Sequence, residues 1–217
     1  MRPRPVRPDR LPEQLADLIV AAGAGRLTVA LDGAPAAQPE ALADAMAGPL
    51  RLRGRPVVPV SATDFLRPAS VRLEHGHHDP QSYRSGWLDA GALCREVLEP
   101  FGSSGSYLPS LWDAAGDRPT RAAPMVAPPD AVLLVDGAFL LDQGLRFDLS
   151  IHLRLSHAAL ARRTVESLQW TLPAYAGYHP ERVADVVIHY DDPRHPAVAV
   201  QPLKSAGPDR TTRSAGS

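Results

Sequence analysis

Residues 131–135 read AVLLV, five apolar residues in a row closed by Asp136-Gly137. A run that short and unbroken suits a strand covered on both faces, as in the interior of a parallel sheet. Comparable runs recur along the chain: Arg26–Leu31 (RLTVAL), Pro56–Ser61 (PVVPVS), the alternating Phe147–Leu155 (FDLSIHLRL) and Ala184–His189 (ADVVIH). Segments with helical spacing lie between them. Leu11, Leu15, Leu18 and Ile19 share one face of Leu11–Ala22, which Gly23 and Gly25 end. In Pro39–Arg53, Pro39 suits the first helical turn, and Gly48-Pro49 is expected to kink or end the helix. Gln81–Glu99 reads as one helix with Trp87, Leu93, Val97 and Leu98 as its apolar stripe, and Ser156 suits the N-cap of a helix through Arg163. Strands alternating with helices predict a doubly wound α/β domain, its mainly parallel sheet flanked by helices.

That domain is expected over residues 11–200, after a Pro/Arg-rich flexible arm at 1–10 and before a disordered tail at 201–217. Residues 62–80 read as a polar loop. Residues 102–130, rich in Gly, Ser and Pro, read as a long insertion or as a hairpin around Tyr107–Met125, because a structureless loop of that length is uncommon.

Composition narrows the function classes. A formal net charge of -1 excludes a polybasic protein that binds nucleic acid by neutralising many phosphates. No run approaches the ~20 apolar residues that span a bilayer, and MRPRPVRPDR does not read as a signal peptide. A cytoplasmic protein is the expectation. Cys94 is the one cysteine, so neither a disulfide framework nor a cysteine-rich metal site is available. Lys204 is the one lysine, near the C-terminus, and it leaves the body of the domain without one.

The first strand runs through Asp32-Gly33 into the helix at Pro39, the place where a nucleotide-binding α/β protein builds its phosphate loop. Aligned on Gly33, the pattern G-x-x-x-x-G-K-[ST] puts its second glycine on Gln38, its lysine on Pro39 and its hydroxyl residue on Glu40. Each replacement works against phosphate. Gln38 brings a Cβ to a position that favours glycine. Pro39 removes an N–H together with the ammonium. Glu40 sets a carboxylate where a hydroxyl would help to hold Mg²⁺. An ordinary strand-turn-helix with an acidic first turn would read the same way.

Six segments in order, LDGAPAA after the first strand, VSATDFLRP (Val60–Pro68), HHDPQSY (His77–Tyr83), LLVDGAFLL (Leu133–Leu141), FDLSIHLRLSHAALARR (Phe147–Arg163) and ADVVIHYDDPRHP (Ala184–Pro196), resemble the uridine kinase family of P-loop nucleoside kinases. The resemblance covers most of the chain, about Val29 to about Pro196. It implies a P-loop-kinase-like α/β fold with a lid at residues 162–180, a nucleoside-like ligand, and Mg²⁺ with ATP as cofactors if the protein is active. It implies that Asp64, backed by Phe65 and followed by Arg67, lies at the acceptor hydroxyl, where a carboxylate can take the proton as oxygen attacks phosphorus. Asp79 and Tyr83 would lie near the acceptor, and Asp136 would be a Walker-B-type carboxylate for Mg²⁺. The alternative for Asp64 is a cap on the turn begun at Ser61, and Asp136 could equally close a strand-end Asp-Gly turn.

The lid departs from the family too: Arg162 and Arg163 are present, but Glu166 and Ser167 stand where a further Arg-Asp belongs. His75, His77 and His78 beside Glu74 and Asp79 sit in a loop whose spacing imposes no ligand geometry, and His152 alternates along a strand as a structural residue. The leading expectation is a divergent protein that keeps an acceptor pocket and transfers phosphate weakly or not at all. An active nucleoside kinase that uses an arginine for the missing lysine, and a non-catalytic interaction module, are the alternatives. Oligomeric state is not legible.

Overall fold

The structure is a computed structural model that describes residues 2–201. Seven strands form one sheet: β1 (Arg4–Pro5), β2 (Leu27–Gly33), β3 (Val57–Ser61), β4 (Val132–Gly137), β5 (Leu149–Arg154), β6 (Val186–His189) and β7 (Ala197–Val200). Their order is β1-β7-β6-β5-β2-β4-β3; β3, β4, β2, β5 and β6 run parallel, and β7 and β1 are antiparallel additions at one edge. Every residue of β2 and of β4 is buried, as the unbroken apolar run requires. β3 closes the other edge, where Pro59, lacking an N–H, costs no ladder bond.

Each face of the sheet carries its own core. On one, Leu15 and Ile19 of α1 (Leu11–Ala22) and Met46 and Leu50 of α2 (Pro39–Leu52) pack on Val29, Leu31, Leu134 and Ile151. On the other, Phe65, Leu93, Val97 and Phe101 pack on Ala30, Leu133 and Val135. The doubly wound α/β architecture is therefore the one the alternating runs predict.

Several elements differ from the sequence expectation. α2 continues through Gly48-Pro49 to Leu52, because so near the C-terminal end proline deletes only one helical hydrogen bond. The single helix expected over 81–99 is two. α3 (Pro80–Ser85) is capped by Asp79, whose side chain accepts from Ser82 N, and ends at Gly86. The next, α4, begins at Ala90 under the Asp89 cap and continues through a π turn at Cys94–Leu98 to Ser103. Between them Leu88 bridges Leu66, and Trp87 leaves the helical stripe. The polar loop at 62–80 contains a 3-10 turn (Ala62–Phe65) and one helical turn (Ala69–Arg72).

Within 102–130, Ser106–Tyr107 pairs with Met125–Val126, and Trp112–Asp113 with Arg118–Pro119, two nested antiparallel pairs. Arg4 and Pro5, in the segment read as an arm, lie exposed against Val198 and Ala197. The expected tail lies, from residue 202 on, outside the described residues. No helix among the described residues is long and apolar enough to cross a membrane.

Candidate functional site

The parallel register sets Ser61, Asp136 and Leu31 side by side, and Asp32 beside Gly137 and His152, at the C-terminal ends of adjacent strands. A crevice outside those ends is where open α/β sheets bind ligands. Here it is a cavity of about 390 Å³, lined on one side by Gly33, Pro39 and Glu40 and on the other by Thr63, Tyr83, Arg84, Trp87 and Phe139, with Ser61 and Asp136 between them.

β2 leaves the sheet at Gly33, where an added Cβ would stand 3.2 Å from Leu153 Cβ. A 3-10 turn (Pro35–Ala37) follows, and Gln38 then takes φ 58° and ψ 56° before α2 begins at Pro39. The backbone thus makes the left-handed step that the second glycine of a phosphate loop serves, with a side chain present. Pro39 offers no N–H, and Glu40 lines the cavity with a carboxylate.

Asp136 is 7% exposed, and Ser61 Oγ donates to its Oδ2 at 2.9 Å. Burial pushes its carboxyl up to about 6; the Ser61 hydroxyl opposes the rise, and the charges of Glu40 and Asp64 add to it. Asp64 is not part of the cavity wall. It stands in the turn after β3 toward Ser110, and burial raises its carboxyl while Ser110 opposes. Phe65 is fully buried in the core. Arg67 donates its backbone N–H to Trp87 O, and Asp79 is the α3 cap. Tyr83 lines the cavity, its hydroxyl 3.4 Å from that of Tyr175.

The lid is a 3-10 segment (Glu166–Tyr175) following α5 (His157–Arg163). Its rings, with Tyr178 beyond it, pack against the aromatic residues that line the cavity. Trp170 meets Tyr83 at 5.5 Å and Trp87 at 5.7 Å, Tyr175 stacks on Phe139 at 4.6 Å, and Tyr178 meets Phe139 edge-on at 5.0 Å. Phe139 holds φ 60°, an uncommon conformation for so bulky a residue, at the cavity wall. Arg163 turns away, donating to Tyr190 O at 2.8 Å, and Arg162 is exposed toward Asp191. Glu166 and Ser167 are exposed. The one guanidinium among the lining residues, Arg84, is held by Asp142 at 2.8 Å and lies over the Tyr178 ring.

Beneath the lid sits a buried polar knot that sequence reasoning missed. Asp32, fully buried, receives Tyr178 Oη at 2.8 Å and Leu140 N at 2.9 Å on Oδ1, and its Oδ2 lies 2.6 Å from His152 Nδ1. The period-2 pattern of β2 signals it, because Asp32 shares the face of Thr28 and Ala30 and needs partners there. Its tyrosine, 146 residues away, has no such signal.

Five parallel strands with helices on both faces and a strand-turn-helix at the central one define the architecture. The fold is that of the P-loop kinases. Solved structures agree. A protein described as a possible uridine kinase from Bacillus stearothermophilus superposes with a TM-score of 0.66 at 20% identity, over 81% of this chain and 96% of its own. A candidate fructose transport system kinase from Silicibacter sp. TM1040 gives 0.59 at 22% identity, over 79% and 85%. The YGR205w protein gives 0.58 at 11% identity, over 88% and 96%. No protein-family model and no curated protein sequence matches the chain significantly.

On this P-loop-kinase fold, Asp136, Glu40 and the Ser61 hydroxyl form an all-oxygen donor set of a kind Mg²⁺ accepts when ligand oxygens and water complete its shell. No group of three His, Cys, Asp or Glu that could hold a metal gathers among the described residues, the His75–Asp79 loop included. His78 instead faces the Trp170 ring at 5.2 Å. At the head of α2 the cavity is lined by the Pro39 ring and the Glu40 carboxylate, and its one lining guanidinium, Arg84, is paired with Asp142.

Proposed function

We propose that this P-loop-kinase-like chain binds a nucleoside or similar hydroxylated small molecule in the cavity beneath its aromatic lid, and transfers phosphate from ATP weakly or not at all. The observation that carries this reading is the Gln38-Pro39-Glu40 head of α2, where the backbone follows a cradle's path but presents an acid and a proton-less nitrogen. Transition-state charge in phosphoryl transfer is held almost entirely by positioned cations and amides, and one such group is worth on the order of 10²–10³ in rate. An arginine substitute finds no support in the geometry, since Arg163 serves Tyr190 and Arg84 serves Asp142.

Ser61, Thr63 and Asp136 offer hydroxyl and carboxylate partners to a ligand hydroxyl, and Tyr83, Trp87 and Phe139 offer rings against an apolar or heteroaromatic body. The likeness to a possible uridine kinase supports nucleosides as the first ligands to try. Titration of the full chain with uridine and cytidine, followed by tryptophan fluorescence and calorimetry, is expected to saturate, while incubation with ATP·Mg²⁺ yields no nucleotide product. Turnover at ~1–100 s⁻¹, as kinases show, lost in Asp136→Ala, would establish an active kinase instead.

A further inference from the structure

The charge of the cavity points to a narrower class of ligand than hydroxylated molecules in general. Three charged side chains line it: Glu40, Asp136 and Arg84. Arg84 is neutralised by Asp142, which does not line the cavity, so the lining keeps two carboxylates, exposed Glu40 at the head of α2 and buried Asp136, and no unpaired cation. One of them, Asp136, is more than nine-tenths buried, and among the described residues Ser61 is the one side chain that donates to it. A buried carboxylate with spare acceptor capacity is costly unless a partner arrives. Three rings, Tyr83, Trp87 and Phe139, line the same cavity, Tyr83 meeting the other two edge-on. Carboxylates and aromatic faces in one cavity are the two elements that attract an organic ammonium group.

The loop supplies an independent reason. A phosphate loop carries a cation at position 39 and meets an anionic ligand; here position 39 is uncharged and position 40 is an anion, so the sign of the cradle is reversed. We propose that the cavity takes a hydroxylated organic monoammonium compound, whose own charge stands between Glu40 and Asp136 where the missing lysine would have reached. This inference rests on the small-molecule reading above and specifies the chemistry of the ligand.

The test uses the full chain and three probes on one phenol frame: tyramine, its isosteric neutral alcohol tyrosol, and the anion 3-(4-hydroxyphenyl)propionate, each titrated calorimetrically and in competition with uridine. Tyramine is expected to bind at least tenfold more tightly than tyrosol, with the anion weakest. Glu40→Gln, and separately the isosteric Asp136→Asn, are expected to shrink the tyramine-to-tyrosol ratio toward one. Each variant's unliganded melting curve shows that it is folded. Equal or tighter binding of tyrosol, or uridine binding that tyramine displaces no better than tyrosol does, overturns this inference and leaves the small-molecule reading in place. Failure of all three probes and of uridine at millimolar concentration overturns both.

Discussion

Asp136→Asn is expected to stabilise the protein at neutral and alkaline pH, and the size follows from the site. The carboxyl moves from an ordinary value of 3.8 to about 6 on folding, chiefly through burial, with Glu40 and Asp64 adding charge and Ser61 opposing. A group whose folded pKa is raised is penalised in its ionised form: the penalty is absent below about pH 4, grows between 4 and 6, and is complete above 6. Two pK units correspond to about 3 kcal/mol as an upper bound. Asparagine keeps the acceptor for the Ser61 hydroxyl and removes the charge, but its buried amide N–H needs a partner, so about 1–2 kcal/mol of the gain is expected to survive. Urea unfolding of both proteins at pH 4, 6 and 8 reads this directly: the variant's midpoint should lie below the native one at pH 4, where only the amide cost remains, and rise above it by pH 8. A variant less stable at pH 8, or a difference that does not change with pH, would refute the account of Asp136 as a carboxylate held ionised at a cost.

Tyr178→Phe removes the hydroxyl that ties the lid to buried Asp32 and is expected to cost about 1–3 kcal/mol in stability. Cleavage by a nonspecific protease should appear first near residues 166–180; unchanged cleavage would show that the aromatic stacking alone holds the lid. Gly137→Ala places a methyl 2.6 Å from Ala62 Cβ at the floor of the cavity. It is expected to lower stability by about 1–3 kcal/mol, measured by thermal unfolding, and to weaken uridine binding.

The central sheet was legible because burial on both faces leaves short apolar runs, LTVAL at Leu27–Leu31 with one threonine and AVLLV at Ala131–Val135, each closed by Asp-Gly and too short for a helix. The odd conformation at Gln38 was legible as well, because the phosphate-loop pattern marks that position for glycine. Trp87 was not. A tryptophan at helical spacing reads as part of a stripe, and it is the glycine at 86 and the cap at Asp89 that release it into the cavity wall. Asp32 and Tyr178 were missed for a different reason, and His152, read as a structural strand residue, was placed without its partner. Each has an ordinary local explanation as turn, strand or loop residue, and only the crossing of β2, β5 and the lid brings the three together. The placement of Asp64 toward Ser110 follows from the nested hairpins of 102–130, whose pairing has no short-range signal beyond their turn residues.

Calorimetric titration of the full chain with ATP·Mg²⁺, beside a variant carrying Gln38→Gly, Pro39→Lys and Glu40→Ser, bears most directly on the claim that the cradle has lost its affinity for phosphate. The native chain should show no saturation into the millimolar range, and the triple variant, which keeps the loop path and regains the cation, N–H and hydroxyl, should bind at least tenfold more tightly. A micromolar dissociation constant for the native chain would contradict the account.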